Sequence, residues 1–290
     1  MKSGASWQSY HVHFPGDAFD RAGDGVLVDT LAPLLDAWRA TAAVTKYFFI
    51  RYTVDGPHVR LRILPGDVAA ACEVEIELGE AARRSGLDVR AAEYVPEMDR
   101  YLGPDLLRIG ESVFEASSEF ALAVIRAGNA TDRELRQGKA LAAMVIIAHA
   151  FLEHRQDALA LWDRYSVRYL PRFGLQEDAL RRREISEFGQ HLLENAPHLV
   201  ERVGTLLAAV ETDASLPEPY ETLARRFGVL AKESKRKLRS LESRIAARYP
   251  FYVSSHMHMQ NNRLGIRPFE ETELTNHLSA IYRLLGNGRS

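Results

Sequence analysis

The chain has 290 residues, 46% hydrophobic and 26% charged, with a net charge of −2; no global basic field marks it for nucleic acid or an anionic membrane, so any anion site must be local. Cys72 is the single cysteine, which excludes an internal disulfide and a zinc site built from several cysteines. No apolar run approaches the ~20 residues of a membrane span, and Met1 to Trp7 carry no basic stretch leading into an apolar one, so the expectation is a cytoplasmic protein that binds neither membrane nor nucleic acid directly.

Trp7 to Phe14 alternates, with Tyr10, Val12 and Phe14 on one side and Ser9, His11 and His13 on the other, as in a strand. Leu27 to Ala42 has helical spacing, its face carried by Leu31, Leu34, Leu35 and Trp38. Tyr47 to Val54 is aromatic and β-branched, and Asp55-Gly56 then leads into His58 to Leu64, a hairpin signature. A helix from Pro65-Gly66-Asp67 to about Ser85 and a fourth strand from Asp88 to Val95 complete the order β-α-β-β-α-β, that of a ferredoxin-like unit with an antiparallel sheet.

Near residue 100 the periodicity turns helical. Pro104 is placed as a first-turn proline before Leu107, Val113, Phe114, Phe120 and Val124. Thr131 and Glu134 form a capping-box pair. Further helices are predicted around Asp157–Leu170, Leu175–Glu194, His198–Val210 and Tyr220–Arg248, the last stopped by Tyr249-Pro250. The short segment Ser254 to Gly265 precedes a closing helix from Glu271 to Leu285. The fold class expected is therefore α+β: a ferredoxin-like portion over residues 1–100 and a mostly helical portion over 101–290. No flexible linker separates them, so one cooperative unit is expected.

Three stretches carry chemistry-bearing residues. In His58-Val59-Arg60-Leu61-Arg62-Ile63, alternation puts His58, Arg60 and Arg62 on one face. A turn centred on Asp55-Gly56 sets Arg60 opposite Arg51, where two arginines repel by a few tenths to ~1 kcal/mol unless an anion lies between them. With the first strand beside the third, His11 and His13 join that face. Solvated or glutamate-paired arginines are the plain reading of such a face. If the helical portion roofs it, buried guanidiniums demand an anion such as a substrate carboxylate. Glu97 and Arg100 are spaced to meet on one helical turn, either as a surface pair or with Glu97 orienting Arg100. Ser254 or Ser255 is placed to cap a short helix ended by Gly265, setting His256 and His258 in a first turn that favours neutral imidazole, the form a base requires. A capping or core role is the plain alternative for this histidine pair, and His-x-His without a third ligand is a weak metal signal.

Trp7, Phe49-Ile50-Arg51-Tyr52, His58-x-Arg60-x-Arg62, Pro96-Glu97-x-x-Arg100-Tyr101, Phe114 through Ser118 and His258-x-x-x-Asn262-Arg263 occur in the order of lantibiotic dehydratase C-terminal domains. In this the chain resembles that family and the stand-alone thiopeptide-type bacteriocin biosynthesis proteins, over nearly its whole length. Two positions depart from the usual pattern: Leu102-Gly103 stands for Gly-Gly, and Ser117-Ser118 for Asp-Ser. The resemblance implies a lyase that eliminates glutamate from glutamylated Ser or Thr of a precursor peptide, leaving dehydroalanine or dehydrobutyrine, with no cofactor. Residue by residue, it implies catalytic roles for Arg60, Arg62, Arg100 and His258, with His256 a rival for the base and Glu97 in support. Arg51, His58 and Arg263 join Glu97 as substrate-binding candidates, and no metal ligands are assigned. It also implies a separate partner that transfers glutamate from glutamyl-tRNA, because the large domain with that activity is not legible here. No winged-helix peptide-recognition module is legible either. A pyridine synthase joining two dehydroalanines, or a catalytically silent peptide-binding subunit, is the alternative. Which glutamate carboxyl forms the ester, and whether the chain is a homodimer, stay open.

Overall fold

The alternation of Tyr10, Val12 and Phe14 with His11 and His13 becomes strand β1 (Gln8–His13) in the computed structural model, which describes residues 6–129, 133–152, 154–169, 194 and 196–287. The chain divides into two compact units, Met1–Arg136 with Met259–Gly265, and Gln137–His258 with Ile266–Ser290.

In the first unit β1 leads into a helical run: α1 (Arg21–Gly25), a π-helical stretch (Val26–Leu31) and α2 (Ala32–Ala40). The run starts earlier than its apolar spacing suggests because Asp20 caps it, accepting from the Ala22 N–H at 2.9 Å. The π stretch resets the phase, so Leu27, Leu31, Leu35 and Trp38 are buried while Leu34 is half-buried. Strands β2 (Val44–Tyr52) and β3 (His58–Pro65), helix α3 (Val68–Arg84) and strand β4 (Asp88–Ala92) follow. The result is the expected β-α-β-β-α-β succession, an α+β fold with one antiparallel sheet ordered β2-β3-β1-β4. Gln8 donates to the Ala71 carbonyl of α3, and Trp38 of α2 donates to Glu77 of α3, so these helices close over the apolar face. Helix α4 (Pro104–Val124) lies against β2, with Phe48 and Phe114 ring centroids 5.1 Å apart.

The hairpin register differs from expectation by one residue. Ile50 pairs with Arg60 and Arg51 with Val59, so the Arg51–Arg60 apposition is not formed. Pro57 explains this: it has no N–H to ladder with Val54. The connection widens to Thr53–Pro57, with Asp55 (φ 63°) and Gly56 (φ 94°) both left-handed. A slip of one residue moves a side chain to the opposite face. Arg51 therefore projects among the core residues, fully buried, where it donates to Asp24 of α1 at 2.6 Å.

Asp24 also accepts from Arg136, at the start of α5 (Arg133–Phe151). The two arginines reach on to the C-terminal end of α10 (Tyr249–Arg263) and the residues just after it: Arg51 donates to the Arg263 carbonyl and Arg136 to the Leu264 carbonyl, while Arg133 donates to the Gly265 carbonyl. Three guanidiniums thus satisfy carbonyls at the negative helix end. Gly265 (φ 75°) is required there, because a Cβ would meet Arg136 at 2.9 Å. Asn262 closes the edge of β2, accepting from the Arg51 N–H at 2.8 Å and donating to the Arg51 carbonyl at 2.9 Å.

The described residues of the second unit are helical: the rest of α5, α6 (Arg155–Tyr169), α7 (Pro197–Glu211), α8 (Tyr220–Leu238), the short α9 (Ser243–Ala246), most of α10, and α11 (Pro268–Asn287). The helix expected from Tyr220 ends at Leu238 rather than Arg248. Tyr249-Pro250 starts α10 instead of stopping a helix, since in a first turn the missing proline N–H costs no hydrogen bond. The helix expected over Leu175–Glu194, apart from Glu194 itself, and the cap at Thr131 fall outside the described residues. Among the described residues no helix is long and apolar enough to cross a membrane.

Asp24→Asn should destabilise the protein by about 3–5 kcal/mol, because two buried guanidiniums would lose their shared anion. Chemical denaturation of the variant against wild type measures the loss.

Candidate functional site

On the face away from α1–α3, the register builds three rows. Phe48, Arg62 and Ser9 form one, Ile50, Arg60, His11 and Arg90 the next, and Tyr52, His58, His13 and Asp88 the third. Period-two alternation puts these residues on one side, away from Val59, Leu61 and Ile63.

Arg60 is held in place from two sides. Its guanidinium lies 3.4 Å from the centre of the Tyr52 ring, and its Nε donates to His58 Nε2 at 3.1 Å. His58 Nδ1 lies 2.8 Å from the Gly56 carbonyl. A carbonyl only accepts and a guanidinium only donates, so His58 is a neutral imidazole with its hydrogen on Nδ1. Burial, then the neighbouring His13, Arg60 and Arg62, lower its pKa against the opposing Gly56 bond. The His11 ring stacks on His58 at 4.7 Å, and burial followed by the charges around it pushes His11 down to about 4.

Arg62 is 8% exposed and Arg263 is 1% exposed. Arg62 donates to the Arg60 carbonyl at 3.2 Å, and Arg263 to the Ser117 hydroxyl at 3.1 Å. Neither makes an ion pair with a carboxylate, and the Nε of each is buried without a partner, among the described residues. The buried Ser9 hydroxyl, cross-strand from Arg62, is likewise without a partner. Burial pulls Arg62 down to about 10, aided by Arg60 and opposed by Tyr94 and Glu97. Burial also pulls Arg263 down to about 9, with Tyr101 opposing and Arg62 adding to the fall. The Arg62 guanidinium lies 6.0 Å from the Phe48 ring centre and that of Arg263 lies 5.3 Å from Phe114, so two cations rest on adjacent aromatic rings. Buried charges of one sign without a counterion are costly, and an incoming carboxylate relieves them.

Glu97 and Arg100 pair at 3.0 Å, but in a turn rather than the helical turn expected. The Gly103 N–H closes that turn on the Met98 carbonyl at 2.8 Å, and Leu102 is left-handed (φ 60°). Leu102 occupies one of the positions where the related pattern carries glycine, and its burial offsets the strained backbone. Tyr101 packs on Phe114 with centroids 4.9 Å apart.

The first unit thus brings together Arg60, Arg62, His58, Glu97, Arg100 and Arg263. Arg51, expected among the substrate-binding residues, is instead a core cation paired with Asp24 on the other face.

In the second unit, Ser254 and Ser255 do not cap a short helix. Both lie inside α10 and donate to the Phe251 carbonyl, so neither histidine sits in a first turn. His256 is a core residue, stacked on Phe151 and edge-on to Tyr252 at 4.4 Å. His258 is partly exposed, and its Nδ1 lies 2.7 Å from Glu271 Oε2, a carboxylate 1% exposed. Glu271 went unremarked in the sequence because an acid beside Pro268 reads as an ordinary first-turn residue. Arg90 and Tyr94 were also missed; strand alternation through β4 contained the signal for Arg90, and alternation through β1 had already set Ser9 on the polar side.

Two outcomes follow from this geometry. Ser117→Asp should supply the carboxylate Arg263 lacks, stabilising the fold by about 1.5 kcal/mol or more. It should also weaken binding of a simple dicarboxylate such as glutarate, read as a smaller rise of Tm on adding it. His11 has a folded pKa of about 4 against an ordinary 6.5, so the unfolded chain binds the extra proton between those values. Its contribution to stability is full above about pH 6.5 and lost as pH falls toward 4. His11→Phe should flatten the fall of the denaturation midpoint across that window.

No curated protein matches the sequence. Three solved structures share the fold. The crystal structure of the tRNA-dependent lantibiotic dehydratase MibB from Microbispora sp. 107891 is 19% identical with a TM-score of 0.66, covering 100% of this chain but 29% of that one. TsrL is 16% identical with a TM-score of 0.70, covering 98% and 95% of the two chains. TbtD, the pyridine synthase from thiomuracin biosynthesis, is 18% identical with a TM-score of 0.72, covering 98% and 99%. The family model described as the C-terminal part of the lantibiotic biosynthesis dehydratase matches residues 7–282, and the chain belongs to that family.

Proposed function

We propose that this protein is a lyase that removes glutamate from glutamylated Ser or Thr residues of a ribosomally made precursor peptide. The observation that carries the reading is the pair of buried guanidiniums, Arg62 and Arg263, which have no carboxylate partner among the described residues. A glutamyl ester keeps one carboxylate that two planar forks can grip, and lysine cannot match that geometry. A separate glutamylating partner that draws on glutamyl-tRNA supplies the ester.

In the proposed reaction His258 takes the Cα proton of the esterified residue. The C–H electron pair becomes the Cα–Cβ double bond and the Cβ–O bond breaks. Glutamate leaves as a carboxylate, which with an acid pKa of ~4 needs no prior protonation. The demanding step is C–H cleavage, so positive charge near the developing enolate and leaving group supplies the acceleration. Arg62 and Arg263 hold the free carboxylate in this scheme, while Arg60 and Arg100 stabilise the developing charge. His58 and Glu97 orient Arg60 and Arg100.

One observation favours a second reading, a pyridine synthase: this chain matches TbtD over 99% of that chain, against 29% of MibB. Dehydroalanines have no glutamyl carboxylate to grip, so the buried arginines favour elimination.

Incubating the purified protein with a synthetic glutamylated peptide should yield dehydrated peptide and free glutamate by mass spectrometry. Turnover of a bis-dehydroalanine peptide instead would establish the synthase, and inertness toward both would leave a silent peptide-binding subunit. Arg62→Ala should lose about 10²–10³-fold in turnover while remaining folded by circular dichroism. Arg62→Lys should stay near the alanine level, because a point charge lacks the fork.

A further inference from the structure

Adjacent glutamates at the start of α11 have different partners. Glu270 Oε2 accepts from the Arg267 N–H at 2.7 Å, as a residue closing a first turn does, and its Oε1 lies 3.4 Å from Gln137 Nε2. Glu271 points elsewhere, to His258 Nδ1 at 2.7 Å, from a position 1% exposed. Burying a carboxylate this deeply is unfavourable without a strong donor, and a structural role alone is served equally well by an amide or a hydroxyl. An ionised carboxylate only accepts, so the hydrogen of the neutral imidazole sits on Nδ1 and the lone pair on Nε2.

We propose that Glu271 is a positioning residue for His258, fixing Nε2 as the proton-accepting nitrogen and stabilising the imidazolium formed on proton transfer. The inference rests on the elimination reading, in which His258 is the base. When Nε2 takes the Cα proton, the imidazole becomes a cation with both nitrogens protonated. The carboxylate at Nδ1 then opposes a full positive charge, an interaction stronger after proton transfer than before it. That difference accelerates the reaction. After glutamate departs as its carboxylate, the imidazolium releases its proton to water and the neutral tautomer is restored.

Glu271→Gln separates this role from a structural one. Glutamine keeps the size of the side chain and a carbonyl oxygen to accept from Nδ1, but removes the charge. With the full-length protein and a glutamylated peptide, kcat should fall about 10²-fold, within the range a general base supplies. KM should stay within about twofold, since ground-state binding is untouched. The isotope effect on kcat from Cα-deuterated substrate should rise as C–H cleavage becomes more rate-limiting. Glu271→Asp, which keeps the charge on a shorter arm, should recover part of the rate. Wild-type kcat in the glutamine variant, or a loss confined to KM, overturns the proposal.

A second measurement does not need turnover. In 15N spectra, the His258 imidazole of wild type should be a single neutral tautomer protonated on Nδ1, and Glu271→Ala should release it into exchange between both tautomers. An unchanged spectrum in the alanine variant overturns the pairing even if glutamine proves too disruptive to assay. If wild type releases no glutamate, the elimination reading itself falls and the catalytic role falls with it. If wild type is active and the glutamine variant equally so, only the role of Glu271 is lost.

Discussion

One carboxylate, Asp24, lies between the guanidiniums of Arg51 and Arg136 where water scarcely reaches, and its single charge does not balance theirs. The remainder comes from peptide carbonyls at the end of α10, the negative pole of a helix. Sheet, first helix and helix end thus share one electrostatic arrangement. Its consequence for the polar face is positional. Arg51 holds the backbone carbonyl of Arg263, and the Arg263 side chain rests over Phe114 beside Ser117. A core ion pair therefore determines where the buried Arg263 side chain begins.

The sheet separates two kinds of positive charge. On its apolar side, arginines are compensated by a carboxylate and by helix carbonyls. On its polar side, Arg60, Arg62 and Arg263 are held by neutral groups: a histidine lone pair, backbone carbonyl and serine hydroxyl, with aromatic faces beneath. Neutral acceptors fix a guanidinium's direction while leaving its charge uncompensated. A preorganised binding surface for an anion requires that combination. The same residue type is thus charge-compensated on one face of the sheet and held by neutral partners on the other.

Much of the polar face was legible in the sequence, because alternation through His58, Arg60 and Arg62 needs no tertiary information. The β-α-β-β-α-β order was legible for the same reason: period two and period 3.6 are local properties. Two of the failures involved a proline. Pro57 widened the hairpin by a residue and turned Arg51 inward, and Pro250 opened a helix that it was expected to close. In both cases the local signal was real but its position in the element was set by partners far along the chain. Arg263 came through the resemblance alone, since nothing in its neighbourhood announces that its guanidinium is buried. Glu271 was not legible at all, because its partner His258 stands on another helix.

The closure of β2 by Asn262 has a bearing on synthesis. The paired groups lie 211 residues apart in sequence, so the ribosome has made most of the chain before the backbone of Arg51 can find its acceptor and donor. Until then the outer rim of the sheet keeps part of its ladder open, with Phe48, Phe49 and Ile50 in the same strand. An unpaired, aromatic rim invites pairing with another nascent chain. Ser118 takes the Phe49 N–H much earlier, and α4 begins to shield the strand as soon as it emerges. The nascent protein is therefore most exposed to aggregation before α4 emerges, when neither Ser118 nor Asn262 has met the strand.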